Sequence, residues 1–280
     1  MKHYFKIQTD RPARIAVAGC GGTGSQVLVM LARLDAALRA LGGNGLHVDC
    51  YDPDKVSPAN CGRQVFYDCD VGKFKSMVLA ERLRLCFPGF EVQGEPCKFR
   101  FYEYDIMISC VDSRKARRDI CKQRGKFRLY HIDCGNGANY GQVLLGNGTK
   151  NLPWPEVAEP DLVREGPEDD APSCSMAEAL EKQELFVNDY AARIAGTLLW
   201  NLFRHGYTEI RGAYFNLNPV MVNPIKIEDP PSPGLRRTSR PDTPNKTNKK
   251  KGRKLENNHK NQGRTTTPIL PRRCFSWCRF

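Results

Sequence analysis

RIAVAGCGGTGSQ, residues Arg14 to Gln26, decides how the rest of the chain is read. Ile15 to Ala18 is a short apolar run without charge, the pattern of a strand buried on both faces. Gly19, Gly21 and Gly24 follow at G-x-G-x-x-G spacing, and an Ala/Leu-rich helical pattern runs on at once from Val27 to Leu41. Strand, glycine turn and helix in that order make a phosphate cradle. The glycines let backbone N–H groups come close to a phosphate, and the helix N-terminus adds unpaired donors and a partial positive charge. The turn alone does not choose between NAD, FAD and ATP.

On the N-terminal side, residues 1–13 read as a short lead-in. On the other side, Leu41-Gly42-Gly43-Asn44-Gly45 stops the helix, and Leu46 to Tyr51 reads as a second strand. Asp52 closes that strand and opens a long polar loop, DPDKVSPANCGRQVF. Lys73 to Cys86 is amphipathic at helical spacing, and Pro88-Gly89 ends it. Glu91 to Phe99 is a weak strand and Asp105 to Cys110 a strong one. A charged helix over Arg114 to Lys122 and strands over Leu129 to Cys134 and Gly141 to Leu145 follow. Strands alternating with helices predict an α/β fold: a Rossmann-like, mostly parallel twisted sheet with flanking helices. Residues 147–174 carry five prolines and an acidic run, and read as a long acidic crossover loop. Ser175 and Glu178 form a capping-box pattern that opens a helix running to about Phe203. Ala213 to Leu217 and Met221 to Ile227 read as a closing strand pair. The expected organisation is therefore one nucleotide-binding domain over 1–228 and a basic, disordered tail over 229–280.

Charge and cysteine usage bound the function. The chain of 280 residues carries a net charge of +12. Residues 230–280 hold fourteen Lys and Arg against two Asp and Glu, so the body before them is balanced at 29 of each. The basic excess belongs to the tail, which either contacts nucleic acid electrostatically or is a solvated end. The N-terminus lacks a charged-then-apolar signal sequence, and no apolar run approaches the ~18 residues of a membrane span. A cytoplasmic location with reduced thiols is expected, and no membrane partner. Cys50, Cys86, Cys110 and Cys121 read as small core residues. No C-x-x-C pair occurs, so no structural zinc is expected, and Cys274 with Cys278 alone makes a poor metal site.

Four features then fall in order behind the glycine turn. Asp52 stands at the end of the second strand, where a carboxylate holds ribose hydroxyls or simply turns the chain before proline. Asn60, Arg63 and Gln64 cluster in the polar loop and suit a triphosphate. Lys73 and Lys75 open a helix whose dipole they oppose, which favours a phosphate partner over a helix-building role. Asp112 lies just beyond a buried strand, at the carboxyl edge where α/β sheets bind ligands; a carboxylate beside phosphates is a usual Mg²⁺ arrangement. Cys174 sits between the acidic loop and the capped helix, where a helix N-terminus would stabilise a thiolate; otherwise it is a small residue packing the loop.

Those phrases together resemble a known series. GCGGTGSQ, DPDKVSPANCGRQ, DVGKFK and CVDS followed by Arg117 are similar to the signatures of the ThiF/MoeB/HesA superfamily, the ancestors of ubiquitin-activating enzymes. HVDCYDPDKVSPANCGRQVF, CVDSRKARRDI, GQVLLG and the stretch from Pro172 to Arg204 also resemble the ThiF-related protein of the PRTRC cassette, carried on plasmids beside a ParB-related gene. The resemblance spans roughly residues 11–228. It implies a ThiF-type fold, a homodimeric state as in relatives, and an ATP- and Mg²⁺-dependent enzyme. Such an enzyme adenylates the C-terminal glycine carboxylate of a small ubiquitin-like or sulfur-carrier protein. On that pattern Gly19, Gly21, Gly22 and Gly24 cradle the phosphates and Asp52 binds ribose. Asn60, Arg63, Gln64 and Lys75 hold the triphosphate, and Asp112 holds Mg²⁺. Arg63, Lys75, Asp112 and Cys174 are then the catalytic candidates, since relatives form a thioester or persulfide from the crossover region. The zinc-binding cysteine pairs of ThiF and MoeB are missing. So is the N-terminal helix that lends an arginine across the dimer, which leaves Arg11 and Arg14 as the nearby substitutes. The alternatives are an NAD(P)- or FAD-dependent oxidoreductase on the same fold, or a non-catalytic nucleotide-binding partner of the ParB-related protein.

Overall fold

The structure, a computed structural model, describes residues 1–7, 10–124, 130–166 and 175–227. The central sheet has eight strands: β2 (Ala13–Ala18), β3 (Leu46–Tyr51), β4 (Glu91–Glu95), β5 (Ile106–Ser109), β6 (Tyr130–Asn136), β7 (Tyr140–Gly146), β9 (Ile210–Leu217) and β10 (Val220–Lys226). A two-residue strand β1 (His3–Tyr4) pairs separately with β8 (Tyr207–Thr208). The sheet order is β10-β9-β7-β6-β5-β2-β3-β4. From β4 to β6 every pairing is parallel; β6 to β7, β7 to β9 and β9 to β10 are antiparallel. The sheet is thus mixed: the parallel half matches the sequence reading, and a meander extends it.

The parallel strands read as unbroken apolar runs because both of their faces are covered. On one face pack α1 (Gly22–Ala40), α2 (Lys75–Cys86) and α6 (Val187–His205), with Val27, Leu28, Leu31, Leu79, Leu83, Leu198 and Leu199 against Ile15, Val17, Val48, Ile106 and Ile108. The opposite face is covered by α3 (Arg114–Arg124) and the turn α4 (Pro155–Ala158), where Ile120 and Trp154 meet Ala16, Ala18, Met107 and an aromatic set of Tyr51, Phe99 and Tyr104. After α1 the chain steps to β3 and β4 on one side of β2; after β4 it crosses to β5 and β6 on the other. The crevice between the carboxyl ends of β2 and β5 is therefore the switch point where open α/β sheets bind ligands.

Several expectations change. The helix foreseen from Ser175 to Phe203 is broken: α5 (Met176–Lys182) stops at Gln183, whose backbone is extended, and α6 starts at Val187. The helix foreseen from Lys73 begins at Lys75, and the weak strand ends at Glu95 rather than Phe99. The crossover is not all loop, since α4 and a 3-10 turn over Pro160–Val163 occupy part of it. Cys86, expected in the core, is exposed at the end of α2, whereas Cys50 is buried. Ser175 does cap its helix, its hydroxyl accepting from the Glu178 N–H at 3.2 Å. The tail 229–280, the domain boundary at 228, Cys174, Cys274 and Cys278 lie outside the described residues. Among the described residues no helix is long and apolar enough to cross a membrane.

Candidate functional site

The glycine turn has distinct jobs for its members. Gly19 sits at φ +91°, a left-handed conformation, and a Cβ there would lie 2.7 Å from the Cys110 carbonyl. At Gly24 a Cβ would stand 1.8 Å from the Gly19 carbonyl oxygen, so this glycine lets α1 close against its own turn. At Gly22 it would meet the Asn188 side chain at 2.6 Å, while at Gly21 it would meet nothing within 4 Å. Gly21 is the N-cap residue of α1, and no side chain caps that helix. The first intrahelical bond is Ser25 N–H to Gly21 carbonyl. The N–H groups from Gly21 to Gly24 therefore have no intrahelical acceptor, at the positive end of a 19-residue helix.

This uncapped end opens into a pocket of about 1190 Å³. Gly19, Gly21, Gly22, Asp52, Arg63, Gln64, Lys75 and Asp112 all line it. Gly24 and Asn60 do not. Gly24 acts beneath the turn, and Asn60 closes its own 3-10 turn, its Oδ1 accepting from Ser57 N–H at 2.9 Å. Lys73 is exposed outside the pocket, while Lys75, at the first position of α2, is buried, its Nζ 3.5 Å from Asp54. Arg11 is held away from the pocket by a two-pronged pair with Asp105 at 2.7 and 2.8 Å.

Asp52 is 5% exposed, and both of its oxygens accept backbone N–H groups: Cys20 at 2.7 Å and Asp54 at 2.8 Å. Burial raises its pKa, against the lowering effect of Lys75 and those two N–H groups. The carboxylate thus ties the end of β3 to the glycine turn. Arg63 is half-buried, and burial lowers its pKa. Among the described residues no carboxylate pairs with it; its Nη1 donates to the neutral Gln183 Oε1 at 2.8 Å, and its buried Nε has no acceptor. Gln64 Oε1 beside it is likewise buried and unsatisfied. Unpaired polar atoms of this kind cost free energy unless a ligand completes them.

Sequence reasoning missed the other wall. Thr23 Oγ1 donates to Asn188 Oδ1 at 2.9 Å; Asn136 Nδ2 reaches both at 2.8 and 2.9 Å; Gln183 links Asn136, Asn188 and Arg63. Lys98 and Lys182 also line the pocket. Amides carry no motif of their own, so only their convergence identifies them.

Arg117, which lines the pocket, pairs with buried Asp133 at 3.2 Å. Ser109 Oγ donates to Asp133 Oδ2 at 2.6 Å and faces His131 Nε2 at 2.8 Å. His131 Nδ1 faces the Arg124 guanidinium at 3.1 Å, and Arg124 pairs with Glu156 at 2.5 Å. Burial and the neighbouring Arg124 push the His131 pKa down to about 3, so the ring is neutral. Since an arginine only donates, Nδ1 accepts and Nε2 carries the proton. Ser109, His131 and Asp133 are not a hydrolytic triad: the histidine lacks the carboxylate that would orient it, and Ser109 has no exposure.

The carboxylate of Asp112 has no hydrogen-bond or ion-pair partner among the described residues. No group of three ligating side chains there could hold a metal by itself. One unpartnered carboxylate lining the pocket nevertheless fits Mg²⁺, which takes few protein ligands and completes its shell with phosphate and water.

Comparison with known proteins bears on this geometry. The profile of the ThiF family matches residues 7–231. The ATP-dependent ubiquitin transferase-like protein Cap2 of Escherichia coli (strain TW11681) is 30% identical over 166 residues, 55% of this chain and 27% of Cap2. The chain therefore spans about a quarter of the length of that curated relative. Among solved structures, PaaA is similar at a TM-score of 0.57 and 15% identity, over 77% of this chain and 64% of PaaA. MccB of E. coli is similar at 0.55 and 16% identity, over 81% of this chain and 67% of MccB. At such identities both show the fold alone.

Proposed function

The chain belongs to the ThiF family, and we propose that it is an ATP-dependent adenylating enzyme acting on the C-terminal carboxylate of a small protein or peptide. The observation that carries this is the uncapped N-terminus of α1, facing a pocket that also holds Arg63 and Lys75, with Arg63 Nε and Gln64 Oε1 buried and unsatisfied. Four free N–H donors, a guanidinium and an ammonium make a triphosphate site. MccB has been solved with ATP and with MccA, and Cap2 is named as an ATP-dependent, ubiquitin transferase-like protein, which supports the same chemistry here. The pocket volume exceeds the roughly 300–1,000 Å³ that holds one small ligand, leaving room for a nucleotide and the end of a second chain.

In the proposed step an acceptor carboxylate oxygen bonds to the α-phosphorus, the bond from that phosphorus to the bridging oxygen breaks, and pyrophosphate leaves with the electron pair. Backbone donors of the glycine turn, Arg63 and Lys75 hold the phosphates and meet the charge that develops on them. Asp52 takes the ribose. Mg²⁺, held by Asp112, would neutralise phosphate charge. Cys174 remains a proposed covalent site; rapid iodoacetamide labelling at neutral pH supports a stabilised thiolate, and labelling at the rate of a free thiol opposes it.

Calorimetric titration with ATP and Mg²⁺ tests the nucleotide assignment. Arg63→Ala is expected to weaken ATP at least about tenfold; NAD binding in place of ATP overturns the assignment. Pyrophosphate exchange into ATP that depends on an added small protein ending in glycine tests the reaction. ATP binding without such exchange points instead to a non-catalytic, nucleotide-binding partner protein.

A further inference from the structure

The break between α5 and α6 turns one side chain into the pocket, and its bonding is complete. Gln183 Oε1 accepts from Arg63 Nη1 at 2.8 Å and from Asn188 Nδ2 at 3.0 Å. Gln183 Nε2 donates to Asn136 Oδ1 at 3.1 Å and to the Gly137 carbonyl at 3.0 Å. An amide offers two acceptor sites and two donors, and all four are used, so a flip would set every contact against its partner. Had the helix continued, Gln183 would have turned with it. Instead α5 ends, the Glu184 N–H is taken by the Ala138 carbonyl at 2.8 Å, and the amide is fixed.

Arg63 has no other hydrogen bond among the described residues. It is a long cation with several rotatable bonds, and one neutral oxygen holds its fork. The same pieces also meet nearby: α5 packs against the 3-10 turn Pro58–Asn60 that leads into Arg63. Resting on the triphosphate assignment above, we propose that Gln183 is the positioning residue for Arg63. It pre-aims the guanidinium at the nucleotide and couples that aim to the seating of α5, the helix that follows the acidic crossover. A neutral partner suits this role: it orients the guanidinium and leaves its charge for phosphate, where a carboxylate would consume it.

The test uses the full chain with Gln183→Ala, Arg63→Ala and the double variant. ATP affinity is measured by calorimetry and Arg63 side-chain order by ¹⁵N NMR. Gln183→Ala is expected to weaken ATP roughly tenfold, the scale of one hydrogen bond to a charged group. In the Arg63→Ala background it is expected to add almost nothing, because the residue it positions is gone. Additive losses mean that Gln183 only supports the fold, and overturn the proposal, as does unchanged ATP affinity. The NMR arm stands apart from the nucleotide: the Arg63 guanidinium should rotate slowly in the parent chain and freely in Gln183→Ala. If the parent does not bind ATP but Gln183→Ala frees Arg63, the triphosphate assignment fails and the positioning stands. If Arg63 is equally mobile in both, the positioning fails. Should Gln183→Ala prevent folding, Gln183→Asn keeps the amide but draws it back by one methylene and carries the same expectation.

Discussion

Alanine at Gly21 and alanine at Gly24 are expected to fail in different ways. Gly24 is pinned: its Cβ would stand 1.8 Å from the Gly19 carbonyl oxygen and 2.8 Å from that carbonyl carbon, and both neighbours are backbone. Relief needs α1 to move off the turn, an overpacking cost of about 1–3 kcal/mol. For a domain of this size that lowers Tm by roughly 3–10 °C. Gly21 has open space around it and a negative φ of −75°, so alanine should leave stability within about 1 kcal/mol of the parent. Under the proposed triphosphate assignment a methyl on this turn crowds the phosphate off the free N–H groups, so ATP should bind at least about tenfold more weakly. Differential scanning calorimetry and ATP titration on the two variants read both quantities. A Gly21→Ala protein that loses Tm but keeps ATP would refute the division of labour, as would a Gly24→Ala protein of full stability.

Three other outcomes follow from His131, Asp133 and Ser175. His131 has its folded pKa lowered to about 3 from an unfolded value near 6.5, so below about pH 6.5 the unfolded chain binds a proton that the folded one refuses. Stability should fall as pH drops through that window, by about 1.4 kcal/mol per unit at most, and urea titrations of His131→Asn should show a flatter slope between pH 6.5 and 5. Asp133→Ala leaves Arg117 and Ser109 buried without their carboxylate and should cost about 3–5 kcal/mol, read as a fall in the urea midpoint. Ser175→Ala removes the cap of α5 and should weaken that helix locally by about 0.5–2 kcal/mol, seen as faster amide exchange within 176–182 with little change in global Tm.

Much of the parallel half is legible in the sequence. The span of β3 coincides with the expected Leu46–Tyr51, and β2, β5 and β7 shift by two residues or fewer at each end. These elements carry their pattern locally: apolar runs, a glycine turn and helical periodicity. The break after Lys182 left no such trace, because Gln183 to Phe186 contains neither proline nor glycine and the surrounding sequence keeps a helical rhythm. What stops α5 is a set of partners on other elements. Charge and position do not separate Lys73 from Lys75 at a helix start, although the family resemblance favours Lys75; the orientation of α2 buries Lys75 and exposes Lys73.

By itself the sequence determined the glycine turn, the strand it follows and the acidic and basic residues arranged in order behind it. Each of these depends on neighbours within a few positions along the chain. Tertiary structure alone decided that Asn136, Gln183 and Asn188 meet Thr23 and Arg63 across separations of 52 to 165 residues for the bonded pairs Asn136–Asn188 and Thr23–Asn188. An amide has no charge and no periodicity to announce it. Its meaning comes from which donors and acceptors the folded chain brings within 3 Å.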